Sequence, residues 1–249
     1  MKKTNENSYP YSVKIELAEI PVTLKFHFFD AVHFFLPYET SSGKRPFGVL
    51  SVTDDEWKFA GKHGGEYNGP TEASLLTAVV SDFLLDYSAC IIHGAAFVYR
   101  EKGWIITGRP GVGKSTQVKN LQKLEPGEFQ VICGDRPAIR IFGNKVMVYP
   151  SPWNGKENWC GASAAPLEGI VCLNRGEDNY VSHINGLDAA IPVFTSLVQT
   201  GIFKEGIRKA ACFTDSLLSK CDIWRMESHT IPDSSRMLYE YIFQQEGTI

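Results

Sequence analysis

The chain has almost no excess charge: 25 Lys and Arg stand against 28 Asp and Glu, a formal −3 over 249 residues. Without a general basic field, neither nucleic acid nor an anionic membrane surface is an expected partner. Paired cysteines are missing too. Cys90, Cys133, Cys160, Cys172, Cys212 and Cys221 are scattered with no CxxC, and several lie in apolar runs where a thiol packs as a small hydrophobe. Reduced thiols and a cytoplasmic location are the expectation. Long hydrophobic runs are also absent. The longest, around Leu75 to Leu85, is broken by Ser81 and Asp82, and the polar start MKKTNENS leads into no apolar segment. Neither membrane insertion nor secretion is expected from such a pattern.

Several chemistries fall away with missing spacings. His27, His33, His63, His183 and His229 form no HxH, HExxH or Cys/His pattern, so a dedicated zinc or iron site is not expected. No GxSxG elbow or Cys-His arrangement argues for acyl transfer. The chain also carries no internal repeat, low-complexity tract or linker-like stretch. What it has is 43% hydrophobic residues, enough for a sizeable core in one large domain or two small ones.

Against this background one segment stands out: Gly108, Arg109, Pro110, Gly111, Val112, Gly113, Lys114, Ser115 and Thr116, or GRPGVGKST. Its spacing is that of a loop wrapping a nucleotide triphosphate. Glycines let backbone N–H groups converge on phosphate oxygens, Lys114 reaches the β/γ-phosphates, and the Ser115 hydroxyl suits Mg²⁺. The flanks agree, with a short apolar strand, Trp104–Thr107, before it. Val118, Leu121 and Leu124 then recur at helical spacing until Pro126-Gly127. A helix opening at the loop would aim its N-terminal dipole at the phosphates.

Residues 8 to about 70 alternate apolar and polar positions and read as antiparallel β; a helix with one apolar stripe follows, from Thr71 to about Tyr87. Next, Ile91–Tyr99 and Trp104–Thr107 read as a hairpin in which opposed residue numbers sum to about 203, placing His93 beside the loop. A crossover helix leads to Phe129–Cys133, expected parallel to Trp104–Thr107. That shared direction puts Asp135 on the rim that holds Lys114, where open α/β sheets bind ligands. Asp135 is therefore the leading catalytic or metal-binding carboxylate.

Ala138–Phe142 and Lys145–Tyr149 read as a second hairpin around Gly143-Asn144, opposed numbers summing to about 287, which returns Ser151–Glu157 to Asp135. That loop offers Trp153 for stacking, Lys156 for a phosphate or acidic group, and Glu157 as a second carboxylate. Beyond it come a buried strand at Gly169–Leu173 and a partner at Tyr180–Ile184. Two helical segments between Leu187 and Ser219, a last strand at Asp222–Met226 and a helix from Asp233 complete the chain.

Taken together, IIHGAAFVY, WIITGRPGVGKST and VICGDRPAIRI resemble, in order and spacing, the catalytic core of the HPr kinase/phosphorylase family. The resemblance spans about Ile91 to Ile141. It implies an α/β fold related to ATP-dependent phosphoenolpyruvate carboxykinase, with a mixed sheet. The β-rich section, residues 1–88, would pack on a nucleotide-binding core of residues 89–249. It also implies an ATP- and Mg²⁺-dependent kinase acting on a hydroxyl of a protein, peptide or small molecule, and a homo-oligomer. By the same resemblance His93 lies near the transferred phosphate, Lys114 and Ser115 contact nucleotide and metal, and Asp135 serves as general base. The family's first aspartate is replaced by Gly134, its later HPr-handling segment is missing, and the first 70 residues differ from its usual N-terminal domain. Reverse phosphorolysis and HPr as acceptor are therefore not expected. The alternative is an ATP-binding switch with little or no transfer activity.

Overall fold

The computed structural model describes residues 9–155, 162–199 and 204–244. Two antiparallel strands, β1 (Tyr11–Leu17) and β2 (Ile20–Phe26), open the chain, joined by a two-residue turn. Both turn residues, Ala18 and Glu19, have positive φ (48° and 64°), a conformation costing roughly 1–2 kcal/mol each outside glycine. Contacts from elsewhere over-determine the turn. Arg140 donates to the Ala18 carbonyl at 2.7 Å and the Tyr149 hydroxyl to Glu19 at 2.8 Å, fastening this turn to the second hairpin.

The rest of the first 70 residues departs from the expected antiparallel sheet. Helix α1 (Phe29–Phe35) follows β2; β3 (Gly48–Leu50) lies parallel to β2, and α2 (Asp54–Lys62) comes next. Local signals account for both helices. Thr53 and Glu56 form a reciprocal capping box at the start of α2. At α1, the wholly buried Glu72 carboxylate accepts hydrogen bonds from the backbone N–H groups of His27 (2.8 Å) and Phe28 (3.1 Å), with the His27 ring also 3.0 Å away. This cap comes from a residue more than 40 positions away, which is why alternation alone misreads the segment. Glu72 belongs to α3 (Gly69–Leu84), capped by the Asn68 side chain on Thr71 N–H at 3.0 Å, with Pro70 in its first turn. That helix and the single-turn 3₁₀ helix after it match expectation.

A large mixed sheet follows. Seven of its nine strands lie along one path: β4 (Ala89–Ile91), β5 (Gly94–Tyr99), β6 (Lys102–Thr107), β7 (Phe129–Cys133), β8 (Ala138–Phe142), β9 (Lys145–Tyr149) and β10 (Ala165–Arg175). The order is β4-β8-β9-β10-β6-β5-β7. Helix α4 (Lys114–Leu124) links β6 to β7. Later come β11 (Tyr180–His183), α5 (Gly186–Ser196), α6 (Lys204–Leu218), β12 (Asp222–Ser228) and α7 (Ile231–Leu238), which ends in a π-type turn at Tyr239–Phe243.

Side chains of alternate residues enter two different cores, the period-2 signature of a sheet covered on both faces. Ala96, Ile105, Ile170 and Ile223 pack toward the layer containing α5 and α6, whereas Phe97, Ile106, Val171 and Met226 pack toward α4 and α7. A third cluster joins β1, β2, α1 and α3 to Ile91, Ala138, Tyr149 and Trp153, so this N-terminal section shares apolar core with the large sheet. Among the described residues no helix is long and apolar enough to cross a membrane.

Candidate active site

The loop between β6 and α4 has the backbone its sequence requires. Gly108, Gly111 and Gly113 all have positive φ (150°, 76° and 112°). At Gly108 the demand is steric as well as conformational, since a Cβ would lie 2.3 Å from the Leu173 carbonyl oxygen. Helix α4 starts at Lys114 after Gly113, with no side-chain cap, so the N–H groups of its first turn are open to an anion from the cleft. Its opposite face is docked by buried polar contacts. Gln117 donates to Ser234 at 2.8 Å and accepts from Ser235 at 2.5 Å, both on α7.

Lys114 is only 9% exposed, and its Nζ donates to the Gly108 (3.0 Å) and Arg109 (3.3 Å) carbonyls, pinning the ammonium inside the loop. Burial lowers its pKa, while the charge of Asp135 works in the opposite sense. The two residues line one cleft of ≈ 550 Å³, together with His93, Ser115, Asn154 and Gly155.

His93 reaches that cleft because β4 and β5 are separate strands, with Ile92 and His93 between them. Its backbone is held from several sides: its N–H donates to the Ser196 carbonyl at 2.8 Å, and its carbonyl accepts from the Thr107 hydroxyl at 2.7 Å. The adjoining Gly94 N–H donates to the Asp135 carbonyl at 2.7 Å, tying His93 and Asp135 to one junction. Nε2 of His93 stands 3.3 Å from Oδ1 of Asp135, and Nε of Arg136 stands 3.4 Å from Oδ2. Burial pushes the Asp135 carboxyl up. The hydrogen bond from His93, with the charges of His93, Arg136 and Lys114, outweighs burial and leaves it below its ordinary value.

Strand order is the point at which the expected route to this arrangement needs correcting. β7 and β6 do run in the same direction, but β5 lies between them, antiparallel to both. The first hairpin pairs Gly94 with Thr107 and Tyr99 with Lys102, two residues tighter than expected, because its turn is only Arg100-Glu101, both at positive φ. A slip of two keeps each side chain on its face, so His93 still arrives at the rim. The second hairpin has the expected register, Ala138 opposite Tyr149 and Phe142 opposite Lys145. Tyr180–His183 pairs with β12, not β10, because β12 lies parallel against Gly169–Arg175 and occupies that edge.

The segment after β9 does return to Asp135. The Arg136 N–H donates to the Trp153 carbonyl at 3.1 Å, and the Ser151 hydroxyl donates to the Arg136 carbonyl at 2.5 Å. Trp153 is 4% exposed; its indole N–H donates to the Ala73 carbonyl at 2.9 Å and its ring meets Phe35 edge-on, so it anchors the loop to α1 and α3. Lys156 and Glu157 lie outside the described residues. Asn154 and Arg136 are site residues that spacing did not single out. Arg136 donates to the Thr77 hydroxyl at 2.9 Å while flanking Asp135. Asn154 is 2% exposed and its amide nitrogen donates to the Tyr38 hydroxyl, yet its amide oxygen has no partner among the described residues. The Asn-Gly dipeptide was a turn signal in the sequence, but a turn says nothing of a side chain aimed inward.

No protein-family profile and no curated protein matches this chain. Among solved structures, the Hpr(Ser) kinase/phosphatase from Coxiella burnetii is similar at 12% identity, covering 63% of this chain and 99% of that one, with a TM-score of 0.38. Residue roles in this chain rest on the geometry of its own cleft.

Proposed function

We propose that the protein is an ATP- and Mg²⁺-dependent phosphotransferase that moves the γ-phosphoryl group to a hydroxyl of a protein, peptide or small molecule other than HPr. One observation carries this reading: a carboxylate fixed between His93 and Arg136 faces the same cleft as a buried lysine and an uncapped, glycine-bounded helix start. A phosphate cradle alone fits any nucleotide binder; a fixed carboxylate opposite it fits transfer.

In this reading, backbone N–H groups of residues 108–116 and the Lys114 ammonium hold the β- and γ-phosphates. Oxygen donors suit Mg²⁺, and the Ser115 hydroxyl and Asp135 are the cleft side chains fit to hold it, where it would neutralise charge developing on the phosphates. Asp135 orients the acceptor hydroxyl. As the new O–P bond forms, the bond from phosphorus to the bridging oxygen breaks with its electron pair leaving on ADP, and the hydroxyl proton passes to Asp135. A carboxyl below its ordinary pKa is a weak base, so proton transfer falls late, in keeping with a loose transition state. His93 positions the carboxylate.

Incubation with γ-labelled ATP, Mg²⁺ and cell lysate tests the proposal. Lys114→Ala is expected to lose nucleotide binding, whereas Asp135→Asn should bind ATP within about twofold of wild type and transfer on the order of 10²–10⁴ more slowly. Full transfer by Asp135→Asn would overturn the base assignment. A second reading, an ATP-binding switch, draws on the fact that Asp135 is already engaged by two side chains. Tight ATP binding with no labelled acceptor would favour it.

A further inference from the structure

A second cavity, ≈ 670 Å³, opens on the far side of Asp135. Its walls come from α1 (Asp30, Ala31, Phe34), the first turns of α3 (Pro70, Ala73, Ser74) and Trp153. Asp135 and Gly155 line both hollows, so the two meet at the carboxylate. Gly155 keeps that junction open: its φ is +75°, and a Cβ there would come within 2.9 Å of the Asp135 Cβ. The two sides differ in chemistry. The cradle presents backbone N–H groups and an ammonium, while the second cavity presents mostly hydrocarbon, including Phe34, a phenylalanine left 43% exposed at its wall. Of its charged side chains, Arg136 is already engaged by Asp135 and Thr77, and Asp30 is exposed on α1.

Resting on the kinase reading, we infer that this cavity is the acceptor subsite, and that it selects hydroxyl compounds bearing an apolar group a few bonds from the reacting oxygen. A bare hydroxymethyl would leave most of such a volume empty, and cavities of this size and lining typically take an apolar body oriented by a few polar groups. Asp135 stands at the junction with the cradle, so the hydroxyl end is fixed there and the apolar end lies against Ala31, Phe34 and Ala73 of α1 and α3. The nucleotide has other space. A separate hollow of ≈ 650 Å³ lies against the cradle itself, lined by Arg109, Val112, Asn174 and Arg175.

Labelled transfer should be measured to two matched pairs, N-acetyl-Phe-Ser-amide against N-acetyl-Gly-Ser-amide, and 3-phenylpropanol against 1-propanol. In at least one pair the apolar member is expected to show a KM tenfold or more below its counterpart; which pair responds tells peptide from small-molecule acceptors. Ser74→Trp, at an exposed position on α3, should fill the cavity and abolish that preference without changing the affinity for ATP. Phe34→Ala should raise the KM for the apolar member severalfold. Equal KM values within both pairs, or a preference that survives Ser74→Trp in a protein with wild-type circular dichroism, would overturn the subsite. So would a tenfold loss of ATP affinity in Ser74→Trp, which would make the cavity a nucleotide pocket. Absence of transfer to every probe and to lysate, with ATP still bound, would instead overturn the kinase reading and the subsite with it.

Discussion

The two walls of the cleft are built by opposite means. The proposed phosphate wall is nine contiguous residues whose backbone would do the binding; its side chains chiefly keep the loop closed, as when Lys114 ties back to the Gly108 and Arg109 carbonyls. The facing wall is assembled from α1, α3, the end of β7 and the loop after β9, brought together by side chains such as Trp153, Arg136 and Ser151. A backbone site tolerates changes of side-chain identity and fails when the backbone is forced to move. A side-chain site fails one buried partner at a time.

The sharpest way to break this contrast is Gly108→Val. A branched side chain meets the Leu173 carbonyl and cannot keep φ near 150°, so ATP binding should fall below detection by calorimetry and the melting temperature should drop. Glu72→Ala tests the other wall. It strips the buried cap from the start of α1, leaving two backbone N–H groups without their acceptor, and should destabilise the fold by about 3 kcal/mol in urea titrations. ATP affinity of the remaining folded protein should stay within about twofold, because the cradle does not use α1.

His93→Gln probes the junction between the walls. In the wild type the Asp135 carboxyl sits below its ordinary 3.8, so its contribution to stability is present above that value and is lost only as pH falls through the lowered pKa. Removing the ring removes the leading interaction that lowers it. The acid limb of the kcat/KM profile for transfer should therefore move to higher pH; an unmoved limb would show that His93 does not set the charge of Asp135. The smallest effect is expected far from the cleft. Glu101→Gly relieves a positive φ of 67° in the turn between β5 and β6 and should stabilise the protein by about 1 kcal/mol, with transfer unchanged.

How much of this was legible in advance varies with how local the cause is. The loop from Gly108 to Thr116, its flanking strand and helix, and the register of Ala138–Tyr149 follow from spacing and turn chemistry, and the structure keeps them. The approach of His93 to Asp135 survived two errors, a hairpin two residues too loose and a missing strand between β6 and β7. Neither error changes which sheet edge the two residues occupy. Where the cause lies far along the chain, pattern reading fails. Phe29–Phe35 is helical with its start held by Glu72, and Asn154 is aimed inward by Trp153 and Tyr38.

The sequence by itself therefore determined the phosphate cradle and which edge of the sheet would hold a histidine and a carboxylate. Glycine conformations, strand direction and turn length are short-range properties, written within a few residues of where they act. Only the tertiary structure decided what faces the cradle: Arg136 beside Asp135, the buried Asn154 amide held by Tyr38, and a largely apolar hollow between α1 and α3. Those depend on burial among elements distant in the chain, where packing outweighs local preference.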